Sequence, residues 1–433
     1  MRSDIVIVGG GAGGLELACK LGRKLGPSKV TLVDSRLYHI WKPSLHEVAA
    51  GTLDIHQEGL SYQMLAHDNG FNFVFGPMTA LDTQSRSITV GAIVAALEND
   101  EVLPERCLTY GSLVLGIGSV SNYFGVPGAQ EHTISLNATE DAERFRLRML
   151  RLMLAAEQDH EEGKGSGLDV VIIGGGATGV ELAAELREAS GAYVTYGFDQ
   201  LDVRRDVRIT ILEGAPRVLA PLPEKVSSAA TDLLAKRGIR VVANCRVTQI
   251  DKDRVIDKDG NVYPANLCVW AAGIRAPDLL ATLGLPTAKG GQVEVDAHLA
   301  VKGGRDVYGL GDCAACVDGK GNAVPPRAQA AHQQADYLVT TFLRKAKGEP
   351  PQSAPYEYRD YGSLVSVGRN TSVGSLMGSL RGASWFVQGT MARMMYTSLH
   401  LMHHRAVLGT MRTGVLALAR FLVRRATPLV KLH

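Results

Sequence analysis

A chain of 433 residues, 45% hydrophobic and 21% charged, has the composition of an ordinary globular protein and length for about three domains. Its formal net charge of +2 excludes the strongly basic balance of a nucleic-acid binder, and no nucleic-acid partner is expected. That balance is uneven: Tyr361 to His433 holds nine Lys and Arg and no acid, leaving 37 basic against 44 acidic residues, a balance of −7, before it. No apolar run approaches the roughly 20 residues that span a bilayer, and the first is only a strand long. Neither a signal peptide nor a membrane span is therefore expected, and the protein reads as cytoplasmic.

In chain order, Asp4 to Leu21 reads DIVIVGGGAGGLELACKL. Ile5 to Val8 predict a buried strand, and Gly9, Gly11 and Gly14 then fit G-x-G-x-x-G ahead of an apolar helical run. The first glycine makes a tight turn, the second lets backbone approach a pyrophosphate, and the third lets helix and strand pack closely. The helix N-terminus faces the phosphate charge. Asp34 ends the next predicted strand, 20 residues after Gly14, where a carboxylate can accept from both ribose hydroxyls. Trp41, Lys42, Pro43 and His46 follow just past that strand's carboxyl end, where ligands bind in doubly wound sheets; Trp41 suits either cofactor contact or a cap on the core. FNFVFG and SITV read as strands, and Ser112 to Gly128 as a buried strand leaving through small residues. Ala138 to Glu162 is a long amphipathic helix, and Gly163 to Gly167 a flexible joint.

The opening stretch then recurs. Asp169 to Leu186, DVVIIGGGATGVELAAEL, agrees with Asp4 to Leu21 at most positions, and an internal repeat outranks other local signals. It supplies Gly174, Gly176 and Gly179, and Glu213 ends its next strand, RITILEG; Arg187 to Asp206 reads as an insertion between helix and strand. Two nucleotide sites on one chain point to an α/β flavoprotein with two Rossmann-like domains, one for FAD and one for a nicotinamide dinucleotide. Glu213 accepts from the 2′-hydroxyl of NADH and repels the 2′-phosphate of NADPH, although Arg217 lies near enough in sequence to soften that choice. Glu181, near the second helix start, either complements the dipole or acts on a ligand; its counterpart in the first copy is Glu16.

Pro223 to Arg237 predicts a helix, and Asp259-Gly260 a hairpin turn. Leu267 to Leu280 is again strand then small residues, and the chain is expected to cross back to the first domain near Gly290. In DVYGLGDCAA, Asp312 suits ribityl hydroxyls or a helix cap. Cys313 and Cys316 form a C-x-x-C that reads as inert thiols, a redox pair or half a metal site; no second cluster completes a site, and no metal is expected. Pro325 and Pro326 are placed at the start of a helix over Val324 to Val339, where Gln329 and Gln333 share one face, solvated unless a ligand covers it. In the acid-free tail, Arg393, His400 and His404 share one helical face and Met391, Met395 and Met402 another. Arg420, Arg424 and Arg425 lie opposite Val415, Leu418, Ala419 and Leu422. This pattern describes an in-plane anchor on an anionic membrane or a helical pair packed on the body or on another subunit.

These motifs together resemble type II NADH dehydrogenases, the single-subunit, non-pumping NADH:quinone oxidoreductases, in their Gram-negative bacterial form. GGGAGG, GGGATGVE, WKPSLHEVAAG, VWAAGI, GLGDCA, PPRAQAAHQQ and VKLH carry the resemblance over nearly the whole chain, the A-Q-x-A-x-Q element and basic tail most specifically. The resemblance implies that Gly9, Gly11, Gly14 and Asp34 hold non-covalent FAD, with Lys42, Gly118 and Asp312 as neighbours. It implies that Gly174, Gly176, Gly179 and Glu213 hold NADH. Glu181 would lie near nicotinamide and flavin, and Gln329 and Gln333 beneath the flavin at the quinone end. It further implies a discontinuous FAD domain (1–137 and 290–350), an inserted NADH domain (138–289), and a membrane-anchoring or dimerising α segment (351–433). A homodimer on the cytoplasmic face of the inner membrane, reducing ubiquinone, completes that expectation. The rivals are a sulfide:quinone or disulfide reductase and a non-catalytic redox-sensing flavoprotein.

Overall fold

The computed structural model describes residues 2–95, 100–165, 167–368, 371–377, 384–423 and 430–431. Two doubly wound sheets organise it. In the first, Asn72–Phe75, Val30–Asp34, Arg2–Val8 and Arg106–Leu115 run parallel, and Val307–Gly309 joins the end of Arg106–Leu115, also parallel. Ser87–Val90 and Met78–Asp82 extend this sheet antiparallel. In the second, Ile134–Ser135, Leu267–Trp270, Leu168–Ile173, Val207–Leu212 and Ile239–Val242 are all parallel.

The central strands are apolar along their length because helices cover both faces. Val6, Ile7, Leu32, Val33, Leu113 and Val114 are fully buried in the first unit, as are Val170, Ile172 and Val269 in the second. Register decides where the site can form. Val8 lies beside Val33 and Leu115, and Leu115 beside Gly309. Gly9, Asp34, Gly116 to Gly118 and Leu310 to Asp312 therefore leave the first sheet at one edge, though they come from opposite ends of the chain.

Several expectations are adjusted. Ile134–Ser135 pairs into the second sheet just ahead of the expected boundary at residue 138. Arg187 to Asp206 is no loose insertion: the second fingerprint helix runs Ala177–Thr195, and Tyr193, Phe198 and Leu201 are buried in the second core. Arg187 itself is buried, donating to the carbonyls of Val203 and Gly238. Pro325 and Pro326 lie ahead of their helix, which spans Ala328–Ala346 behind an extended Arg327. The tail is more than α: Gly362–Ser366, Ser372–Met377 and Ser384–Gly389 form an antiparallel sheet before helices Thr390–Leu408 and Thr410–Val423.

The first tail helix packs against the first fingerprint helix, Ala12–Leu25. His403 and His404 are buried and His400 half-buried, so the histidine face is turned inward, as in the alternative of a helical pair packed on the body. Arg420 pairs with Glu58 and Arg412 with Asp68. The Arg393 side chain, Arg424 and Arg425 lie outside the described residues. The outward residues include a row of large apolar side chains, Met391, Met394, Leu399 and Met402 on one helix and Met411, Val415, Leu418 and Leu422 on the next, with Arg405 and Arg412 exposed among them.

Candidate active site

The two fingerprints make cradles that repeat the same glycine geometry. Gly9 (φ +101°) and Gly174 (φ +109°) sit in left-handed turns where a Cβ would strike Gly116 and Ala271 backbone at 2.3 and 2.7 Å. Gly14 and Gly179 pack so closely that a Cβ would lie 2.0 Å from the carbonyl oxygens of Gly9 and Gly174. Gly11 and Gly176 differ: a Cβ there would meet nothing within 4 Å. Each caps a helix whose first turn has neither a side-chain cap nor an acid. Unpaired N–H groups, dipole and open space fit an anionic pyrophosphate at both.

The strand-end acids repeat the symmetry. Asp34 accepts from the Gly10 N–H at 2.6 Å and the Arg36 N–H at 2.8 Å. Glu213 accepts from the Gly175 N–H and, at 2.6 Å, from the Ala215 N–H. Each carboxylate is thus aimed across its glycine turn. Arg217, the cation that threatened selectivity, is committed elsewhere: its guanidinium donates to the carbonyls of Leu219, Ala220 and Leu222.

At the first cradle the sheet edge gathers the remaining expected residues. Lys42 Nζ donates to the Ser119 carbonyl at 3.1 Å, and Ser119 Oγ to Asp312 at 2.8 Å. Burial lowers the Lys42 pKa, with Asp312 pulling the other way. Gly118 is left-handed (φ +71°) with open space beside it, and Gln334 accepts from the Gly311 N–H. Cys313 and Cys316 are free and buried, and burial pushes both thiols up to about 11; neither is a nucleophile at neutral pH.

Glu181, two residues past Gly179 on the second fingerprint helix, and Gln329 and Gln333 make contacts of their own. Glu181 is buried and accepts from the Ser366 N–H at 3.0 Å, while its other oxygen faces His46 Nδ1 at 3.7 Å. Burial raises its pKa against the pull of His46, and the Tyr396 hydroxyl is a further hydrogen-bond partner. Gln329 and Gln333 are not free on a solvated face. Gln329 donates to the Gly362 carbonyl at 3.1 Å, and Gln333 exchanges two bonds with the Arg359 backbone at 2.9 and 3.0 Å.

Sequence patterns missed the groups behind the cradles. His39 and Tyr62 both bind the Gly10 carbonyl, at 2.9 and 2.7 Å; Trp41, which the sequence did single out, packs at a tilt against His403 with ring centroids 4.3 Å apart. Glu16 is held by His332, His403 and Lys20. Its repeated E-L-A context was visible, but its two histidine partners lie more than 300 residues away. Glu58, His400 and His404 bring three donor atoms within 4.8 Å of one another, and the Arg420 guanidinium already lies on Glu58 and His404.

Residues 3–335 match the family model described as pyridine nucleotide-disulphide oxidoreductase. The chain is 37% identical, over 99% of its length and all of the relative's, to the type II NADH:quinone oxidoreductase of Haemophilus influenzae. The chain belongs to the type II NADH:quinone oxidoreductase family. The Mycobacterium tuberculosis enzyme of that name is 29% identical over 87% of this chain and 80% of its own. Among solved structures, NDH2 of Plasmodium falciparum covers both chains fully with a TM-score of 0.82 at 19% identity. The sulfide:quinone oxidoreductase of Aquifex aeolicus reaches 0.71 at 18% identity, covering 94% of this chain and 92% of its own. At those identities the likeness is one of fold, and the two-dinucleotide-binding α/β architecture is shared by all of them.

Proposed function

We propose that this chain oxidises NADH and reduces a membrane quinone, with non-covalent FAD held between the two substrates. The observation that carries the reading is the duplicated cradle, open beside Gly11 and again beside Gly176. Gly9, Gly11, Gly14 and Asp34 hold FAD, with Lys42, Gly118 and Asp312 at its ribityl side; Gly174, Gly176, Gly179 and Glu213 hold NADH. Bound FAD would supply the hydride acceptor, a chemistry the side chains of this chain do not offer. The chain's own residues bind, orient and exclude water. The FAD unit comprises 1–137 and 290–350, the NADH unit 138–289, and residues 351–433 the anchoring and dimerising part.

Glu181 is read as the group beside nicotinamide and flavin. Gln329 and Gln333 act at the quinone end, latching the backbone of residues 359–362 there. The outward Met and Leu residues of the two tail helices enter an anionic bilayer, in which ubiquinone is the substrate; no helix among the described residues is long and apolar enough to cross it. The protein is then a peripheral homodimer on the cytoplasmic face of the inner membrane. The sulfide or disulfide reading is weaker, because both cysteines of its C-x-x-C are buried and protonated.

The test is steady-state oxidation of NADH by FAD-loaded protein with a soluble quinone, beside NADPH and sulfide as donors. Turnover with NADH and quinone alone is expected. Flavin reduction without quinone turnover would leave a redox sensor, and sulfide-driven turnover the rival reductase.

A further inference from the structure

NADH + H⁺ + quinone gives NAD⁺ + quinol. The hydride carries two electrons and one proton, so the second proton must come from solvent in every turnover. The structure offers a route for it beside Glu181. His46 lies on the short helix Leu45–Ala50, which packs against the second fingerprint helix, and its ring is buried to 3% exposure. Nδ1 lies 3.7 Å from a Glu181 oxygen and Nε2 4.0 Å from a Glu47 oxygen, both longer than a hydrogen bond, and the ring's hydrogen-bond partner is the Pro43 carbonyl. The Glu47 side chain is 22% exposed and that of Glu181 9%, so the imidazole stands between an outer and an inner carboxylate.

We propose that Glu47 and His46 form the proton inlet to Glu181: solvent protonates Glu47, and small side-chain rotations that close the two gaps to hydrogen-bond length let the imidazole take a proton at Nε2 and release one from Nδ1 to Glu181. The inference rests on the reading that Glu181 borders the reacting groups. His46 Nε2 is a buried nitrogen with no hydrogen-bond partner among the described residues. A purely structural histidine would have that atom satisfied, whereas a relay needs one nitrogen able to take and lose a proton.

The surroundings leave the proton few other places to go. Glu185, one turn beyond Glu181, accepts from the Thr52 hydroxyl. Tyr193 donates to the Ala50 carbonyl, and Arg146 pairs with Glu143 on the helix Thr139–Glu161. From the tail, Tyr396 bonds Glu181 itself, and burial raises its pKa well above the ordinary value. Burial works against charge on His46, but Glu181, Glu47 and Glu185 overcome it and raise its pKa. Glu181 is raised as well, chiefly by burial. Both shifts are upward, so each group holds its proton to higher pH than its free form.

The first repeat supplies an internal control. Glu16 occupies the position of Glu181 but is sealed by three cationic partners and held well below the ordinary carboxylate range. A group so firmly ionised cannot relay protons. Only the second copy has its glutamate poised.

His46 and Glu47 act through Glu181 and are positioning residues for its proton. The test separates the half-reactions in holoenzyme carrying Glu181→Gln, His46→Gln or Glu47→Gln, the last being a near-isosteric change at a partly exposed side chain. Flavin bleaching by NADH without quinone should stay within about twofold of wild type in His46→Gln and Glu47→Gln. Reoxidation by a soluble quinone should slow about tenfold or more, with its pH profile moved to lower pH and its rate partly restored by added imidazole in His46→Gln. The His46 ring resonances provide a readout independent of turnover: their titration midpoint should fall in Glu47→Gln. If His46→Gln and Glu47→Gln reoxidise at the wild-type rate while Glu181→Gln does not, the inlet is wrong and the reading of Glu181 stands. If Glu181→Gln is also unaffected, that reading falls first. Equal slowing of both half-reactions would make the pair structural and overturn the inlet.

Discussion

His403 Nδ1 lies 2.8 Å from Glu16 Oε1, joining the first tail helix to the first fingerprint helix through a buried ion pair. On the other side of the ring, His403 Nε2 meets His39 Nε2 at 2.9 Å, and His39 Nδ1 meets the Gly10 carbonyl at 2.9 Å. A carbonyl and an ionised carboxylate only accept, so both Nδ1 atoms donate. The bond between the two Nε2 atoms then needs a third hydrogen. The His39–His403 pair therefore carries one positive charge, which Glu16 balances. Tail, loop and nucleotide cradle are tied by one proton.

Glu16→Gln should accordingly destabilise the fold by about 3–5 kcal/mol, the cost of leaving a buried charge unpaired; denaturant unfolding of the holoprotein checks this. The pH dependence has a defined sign. Burial works to raise the Glu16 pKa, but His332 and His403 more than reverse it. Its stabilising contribution is therefore present above the unfolded value of about 4.3 and lost as pH falls below it. His332 is raised, first by its bond to Glu16; its contribution is complete below about 6.5 and lost as pH rises through the folded value. Wild-type stability should fall away on both sides of that window, and Glu16→Gln should flatten both flanks.

Much of this was legible and some was not, for physical reasons. The fingerprints could be read because turn, pyrophosphate contact and helix packing each demand glycine at a fixed spacing. Asp34 and Glu213 could be read because strand length fixes where an acid must fall. The tail sheet was missed because GSLVS and SVGSLM mix glycine and serine into short runs whose alternation is weak. The burial of His403 and His404 could not be read because periodicity separates faces without saying which one is buried. The Glu16 partners and the Glu181–His46 contact join distant segments, and no local pattern carries such information.

The glycines make a paired prediction. Gly11→Ala meets no protein atom, so thermal stability of the apoprotein should hold while FAD content falls. Gly176→Ala should instead retain FAD and raise KM for NADH. Gly14→Ala and Gly179→Ala, with a Cβ 2.0 Å from a carbonyl oxygen, should lower stability itself. Flavin absorbance, KM and melting temperature separate the four.

Selectivity for NADH is expected to reside in Glu213, since Arg217 is spent on three backbone carbonyls. Glu213→Gln keeps an oxygen for the glycine-turn N–H groups but removes the charge that repels a 2′-phosphate. The ratio of kcat/KM for NADPH to that for NADH should rise by about tenfold, equivalent to about 1.4 kcal/mol. An unchanged ratio would place the discrimination elsewhere.

Membrane attachment should be apolar in character and weakly sensitive to salt. Arg412 and Arg420 are paired with Asp68 and Glu58, whereas Met411 is 82% and Leu418 61% exposed. Burying such side chains in the acyl boundary is favourable by about 25 cal/mol per Å² and is not screened by ions. Removing the whole tail would also break the Glu16–His403 pair, so surface replacements are the cleaner probe. Val415→Ser, Leu418→Ser and Leu422→Ser together should release the protein from vesicles of mixed neutral and anionic lipid while leaving its melting temperature and its activity with a soluble quinone near wild type. Wild-type binding should survive a rise to 1 M salt. Loss of binding in salt, with the triple variant still bound, would assign the attachment to the basic residues instead.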